Sequence, residues 1–189
     1  MANFMSGQLV HLTELREGDT ELFAQEQWAD GWFRQLPMDM ARVWTPDDYK
    51  EDVKGDHWAT DEFGFVIRTN DTNATVGTIF LSDVQLKNRG GDIGIAIVES
   101  QQGHGYGTDA LQIVLKYAFD ELNLHKVRLE VNGNNPAAIH IYEQVGFKLE
   151  GVNVAALYQD GQRFDRYNYG ILQTEWRALH AGDGKAATK

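Results

Sequence analysis

Residues 92–108 read DIGIAIVESQQGHGYGT, and the order of features in this stretch decides the fold. Residues 92–98 alternate, with Ile93, Ile95 and Ile97 on one side and Gly94, Ala96 and Val98 on the other. That is a strand with one bulky and one nearly bare face. Small residues on a strand face mark close approach by a ligand or another backbone, or simply tight packing. Glycines follow at 103, 105 and 107. Then residues 109–122 carry Leu111, Val114, Leu115, Ala118, Phe119 and Leu122 at helical spacing. Residues 126–131 (KVRLEV) alternate strictly, with Val127, Leu129 and Val131 on one face. A helical crossover between two strands makes that pair parallel.

The flanks read mostly as antiparallel elements. Residues 8–15 suit an opening strand, and Gly18, Asp19 and Thr20 suit the start of a helix carrying Leu22, Phe23 and Trp28. A second helix is expected at Thr45, with Pro46 in its first position and Asp47 and Asp48 favouring its positive end. Between them, Trp32, Phe33, Leu36, Met38, Met40 and Trp44 suit a core or a pocket wall. Residues 63–68 and 76–81 form a hairpin through the polar turn 69–73. Downstream, Asn135 caps a helix that has Pro136 in its first position and Gly146 as its stop, with Ala138, Ile141, Tyr142 and Val145 on one face. Strands 148–158 and 163–172 close the chain through Asp160 and Gly161, a strong hairpin signal.

The chain has 189 residues, of which 42% are hydrophobic and 24% charged. This suits one globular domain, taken as residues 7–178 with a C-terminal tail at 179–189. There is no Cys, which excludes disulfides, thiolate metal sites and a sulfur nucleophile. The six His show no metal-ligand spacing, and HExxH, GxSxG and Walker strings are absent, so no metal is expected. The lack of a long apolar run and of a leader-like N-terminus points to a cytoplasmic protein without a membrane partner. Net charge is −11, and residues 14–62 alone hold 14 Asp/Glu against 5 Lys/Arg. Such a balance suits solvated helix faces or an acidic approach for a cationic ligand, and disfavours nucleic acid.

Glycines at 103, 105 and 107 bare several backbone N–H groups at the positive end of the following helix, which makes an anion cradle. A dinucleotide, a nucleoside triphosphate or coenzyme A could use it. Glu130 falls about where a ribose-binding acid would sit, roughly 20 residues on. Thr108, however, stands where GxGxxG needs its third glycine, and the loop lies mid-chain. The triphosphate reading lacks the P-loop Lys.

Two strings then carry a resemblance. QGHGYG at 102–107 resembles the Q/R-x-x-G-x-G/A acyl-CoA diphosphate motif of the GNAT N-acetyltransferases. NPAAIHIYEQVGF at 135–147 resembles that superfamily's second motif, in the expected order. GFKLEG, ALYQDG and the terminal Glu175 and Trp176 are similar to the RimJ/RimL-type branch. The resemblance implies an α/β single-domain fold: a mixed, mostly antiparallel sheet with a splayed central parallel pair, flanked by helices. It implies acetyl-CoA as co-substrate and a primary amine as acceptor, a small molecule such as a polyamine or a peptide N-terminus. A homodimer stays open. The competing class is a non-catalytic acyl-CoA-binding sensor.

The resemblance further implies that Ile97 and Val98 offer backbone groups to the pantetheine arm. Gln102, Gly103, His104, Gly105, Tyr106, Gly107 and Thr108 would wrap the diphosphate, and Asn135 would contact the cofactor. Tyr142 would aim its hydroxyl at the thioester sulfur. A Tyr is protonated at neutral pH and can donate to a departing thiolate. Without Cys, direct attack in a ternary complex is the simpler route, and sequential kinetics follow. Asp92, where relatives often carry Glu, is the candidate base, with Glu130 and Glu62 behind it. His104 and His140 are read as structural or solvent-facing. Asn153, Val154 and Ala155 stand where relatives often carry Arg with an acidic neighbour, so acceptor specificity is expected to differ.

Overall fold

The computed structural model describes residues 4–27, 29, 43–48 and 62–181. Trp28, Trp32, Phe33, Leu36, Met38, Met40, His57 and the end of the tail lie outside the described residues. Seven strands are β1 (Val10–Thr13), β2 (Phe63–Thr69), β3 (Thr75–Gln85), β4 (Gly90–Ile97), β5 (Lys126–Asn132), β6 (Lys148–Gln159) and β7 (Gln162–Leu172). They form one sheet in the order β1-β2-β3-β4-β5-β7-β6. Among the described strands only β4 and β5 run parallel. The expected mixed sheet with a central parallel pair is the observed one.

Helix α1 (Asp19–Glu26) lies on one face, where Phe23 packs with Trp44, Val66, Ala96 and Val98. The other face carries α2 (Tyr106–Lys116), α3 (Pro136–Val145) and α4 (Gln173–Leu179), with the larger core between them and the sheet. The two faces of β4 therefore serve two cores: Ile93 belongs to the larger and Ala96 and Val98 to the smaller. At Gly94 the bare face is tight packing, because a Cβ there would collide with the ring of Phe80 across the ladder.

Local chemistry explains the boundaries. Asn135 Oδ1 accepts the Ala138 N–H at 3.1 Å, Pro136 opens α3, and Gly146 ends it at φ 110°. Asp160 and Gly161 take φ 50° and 76°, as the hairpin signal requires. Three elements differ from the expectation. Helix α2 starts at Tyr106, three residues early, and runs into a π-helical turn, Tyr117–Glu121. Helix α4 has no counterpart in the sequence reading; Trp176 anchors it, its ring 5.5 Å from that of Phe119. Strand β1 begins at Val10 because the N–H groups just before it bond to a side chain, Asp109, instead of a neighbouring strand.

A buried ion pair joins α1 to the sheet: Arg68 Nη2 donates to Asp19 Oδ2 at 2.7 Å. Arg68 Nε also donates to Thr13 Oγ1 at 3.0 Å, and Thr75 Oγ1 donates to Asp19 Oδ1 at 2.6 Å. Buried charges persist when they are paired and hydrogen-bonded in this way. Two other contacts hold the central strands. Arg89 O accepts the N–H groups of His125 and Lys126, while Arg89 Nε and Nη2 donate to Asn123 at 2.6 Å each. The start of β4 is thereby pinned to the start of β5.

Candidate active site

Beyond that pin the pair opens. Only Gly90, Gly91 and Asp92 match Lys126, Val127 and Arg128 across it, although both strands continue for several residues. The parting leaves a cavity of about 1000 Å³. Gly103, Gly105, Gly107 and Thr108 line one part of it, the middle of β4 another, and Tyr142 another.

The strand edge facing the gap carries spare backbone groups. Val98 N–H donates to Val76 O on β3 at 2.9 Å, so by strand alternation the groups of Ile95 and Ile97 face away from β3, toward the gap. Gln102 Nε2 donates to Ile97 O at 3.1 Å. Val98 is placed differently from Ile97. Val98 has its N–H on Val76 and its carbonyl on the Gln101 N–H, its side chain is buried, and it does not line the cavity. Ile95 lines the cavity, a residue that the alternation around Ile97 would have indicated.

The glycine loop is built as a donor cluster. Gly103 and Gly105 take φ 78° and 83°, the left-handed region that side chains resist. Gly105 caps α2 without a side-chain bond, and the first intrahelical bond is Asp109 N–H to Gly105 O at 3.1 Å. The N–H groups of Tyr106, Gly107 and Thr108 are therefore the unpaired first-turn donors of the helix. Gly107 lies against β4, where a Cβ would touch Ile97 at 3.6 Å and Ile95 at 3.8 Å. His104 does not line the cavity: its ring stacks on Tyr106 at 5.5 Å, and Nδ1 lies 3.2 Å from Gln101 O. His140 is exposed and lines the cavity.

Tyr142 comes from α3, where its ring meets Phe147 edge-on at 5.9 Å. Its hydroxyl has no hydrogen-bond partner among the described residues. Burial disfavours the phenolate and pushes the Tyr142 hydroxyl up to about 12. Tyr169, also at the cavity, is spoken for: its hydroxyl donates to Glu143 Oε1 at 2.9 Å. Burial, then that carboxylate, raises it to about 12 as well.

Asp92 is not a free carboxylate. Arg128 Nε donates to its Oδ1 at 2.7 Å, and Arg128 Nη2 reaches Asp83 Oδ2 at 3.0 Å. Burial works against the Arg128 charge, but the two carboxylates outweigh it and raise its pKa. Glu130 also lines the cavity and lies 3.4 Å from Arg166. Glu62 is exposed at the edge of the described segment.

Such an opening in a parallel pair, with a donor-rich helix start at one side and a phenol at another, is a place for a long, anion-bearing thioester. The chain matches the acetyltransferase (GNAT) domain over residues 10–148 and belongs to that family. The spermidine N(1)-acetyltransferase of Vibrio cholerae is 33% identical over 112 residues, 59% of this chain and 64% of its own length. The enzyme of that name from Escherichia coli K12 is 31% identical over 125 residues, 66% of each chain. The chain thus spans about two thirds of the length of these curated relatives. The solved structure of spermidine N-acetyltransferase from Vibrio cholerae in complex with CoA and spermine has a TM-score of 0.74 at 26% identity. The match covers 88% of this chain and 97% of that one.

Proposed function

We propose that the chain is an N-acetyltransferase that uses acetyl-CoA to acetylate a primary amine, with a polyamine as acceptor, in the cytoplasm. The observation that carries this reading is the parting of β4 and β5 between a glycine-bared helix start and Tyr142. The residues present fit the co-substrate, since unpaired first-turn N–H groups suit a diphosphate without basic side chains. The polyamine rests on the named activity of the two relatives and on the acidic balance of this chain.

Bound acetyl-CoA supplies the activated acetyl group as a thioester. The N–H groups of Tyr106, Gly107 and Thr108 bind its diphosphate, and the spare backbone groups of Ile95 with the N–H of Ile97 orient its arm along β4. Asn135 spends Oδ1 on its helix cap, which leaves Nδ2 for the ligand. Tyr142 holds the proton that the leaving thiolate needs. Asp92, with Oδ1 held by Arg128, has Oδ2 left to take up, through water, the proton that the acceptor nitrogen sheds so that its lone pair can attack. With no Cys in the chain, the amine attacks directly.

The test is thiol release from acetyl-CoA across a panel of monoamines, diamines and polyamines. Turnover with polyamines fits the proposal. Tight acetyl-CoA binding without transfer to any amine would favour a sensor instead. The pH dependence follows from the Tyr142 shift. A phenol raised to about 12 stays protonated through neutral and mildly alkaline pH, so kcat should climb as the amine loses its proton. No loss of the acid should bend the curve down until pH approaches that value. A descending limb at about pH 10 in the wild type that is missing in Tyr142→Phe would show an unshifted phenol.

A further inference from the structure

Asp109 lies one residue past the free donors of α2, yet its carboxylate does not turn back to them. It accepts the N–H groups of Gln8, Leu9 and Val10 at 3.1, 2.7 and 2.9 Å. These residues are about one hundred positions away in the chain. The N-terminal segment makes a tight turn to present them: Gly7 N–H donates to Val10 O at 2.8 Å, and Leu12 N–H donates to Met5 O at 2.9 Å. Asn70 braces the turn, its Nδ2 donating to Gly7 O at 3.2 Å and its N–H to Leu9 O at 2.9 Å. The fit around the carboxylate is close, because a Cβ at Gly7 would come within 2.5 Å of both its oxygens. The turn also sets Leu9 against the glycine loop, with Leu9 Cδ1 3.2 Å from where a Cβ of Gly105 would stand.

An acidic side chain in the first turns of a helix is attracted to the helix's own positive end. Left loose, Asp109 would compete for the N–H groups of Tyr106, Gly107 and Thr108 and repel an incoming anion. Three charge-assisted hydrogen bonds instead fix it and disperse its charge on the far side. We propose that Asp109 is a positioning residue for diphosphate binding: by seizing the N-terminal turn it keeps the helix start open and backs Gly105 with Leu9. This rests on the acetyl-CoA reading given above. It also explains why β1 begins only at Val10.

The test measures acetyl-CoA dissociation constants by calorimetry for the full chain and for Asp109→Asn, Gly7→Ala and Leu9→Ala. Steady-state kinetics are run beside it, with acetyl-CoA and with acetylpantetheine, which lacks the diphosphate. Field effects alone predict that Asp109→Asn binds the anion more tightly. Positioning predicts weaker binding by about tenfold, since hydrogen bonds to a charged group are lost, with kcat kept and KM for acetylpantetheine unchanged. Gly7→Ala keeps the charge but displaces the carboxylate and should weaken acetyl-CoA in the same direction. Leu9→Ala should weaken it less. If Asp109→Asn does not fold, the other two variants decide alone. Wild-type affinity in Gly7→Ala and Leu9→Ala, or equal losses with acetyl-CoA and acetylpantetheine, would overturn the inference while leaving the acetyl-CoA reading intact. A wild type that binds no acetyl-CoA overturns both.

Discussion

Strand β4 contains two halves that the sheet treats differently. Its first residues, Gly90, Gly91 and Asp92, are matched to β5 and clamped by Arg89. Its later residues stay paired to β3 as far as Ile97 but have lost β5. A backbone group out of reach of a partner must meet water or a ligand. One strand thus acts as scaffold at its start and leaves backbone groups free at its end, and the place where the two meet sets where the cavity opens.

The strongest attack on this division removes the chemistry at the open end and leaves the pinned end alone. Tyr142→Phe should lower kcat about 100-fold, the lower range for losing a general acid, with both KM values close to wild type. Steady-state kinetics with acetyl-CoA and spermidine will check this. A smaller effect is expected at the donor cluster. Gly105→Ala forces a side chain into the left-handed region at φ 83°, at a cost of about 1–2 kcal/mol, and should weaken acetyl-CoA about tenfold in a calorimetric titration while sparing kcat. Asp92→Asn stands at the junction. It should lower kcat about fivefold if Oδ2 relays a proton, and lower stability by less than about 1 kcal/mol, since the ion pair with Arg128 is half exposed. The mildest test touches only the pinned end. Arg89→Ala deletes two hydrogen bonds to Asn123 and should cost about 1–2 kcal/mol in urea denaturation. Activity of the folded fraction should be retained.

The sequence made the open half legible through features that act locally. Gly103, Gly105 and Gly107 announced backbone exposure, Asn135 and Gly146 bracketed α3, and the spacing around Tyr142 placed it on the buried face. What stayed hidden depends on contacts far apart in the chain. Nothing near Asp109 says that its carboxylate will hold Gln8, Leu9 and Val10, and nothing near Asp92 says that Arg128 will take one of its oxygens. The backbone role of Val98 came from the resemblance alone, whereas its hydrogen bonds follow from which way β3 lies. The π-helical turn and α4 depend on packing of Phe119 and Trp176, which a periodicity reading does not see. Eight of the fourteen carboxylates of residues 14–62 fall within the described residues and none of those eight lines the cavity, so their part in acceptor binding rests on composition alone.

A crystal structure of the chain with CoA tests the division of β4 most directly. It should place the diphosphate within hydrogen-bond distance of the Tyr106, Gly107 and Thr108 N–H groups, the pantetheine arm along Ile95 and Ile97, and the sulfur beside the Tyr142 hydroxyl. CoA bound elsewhere on the chain, or β4 and β5 zipped together past Asp92 with the ligand excluded, would contradict the account.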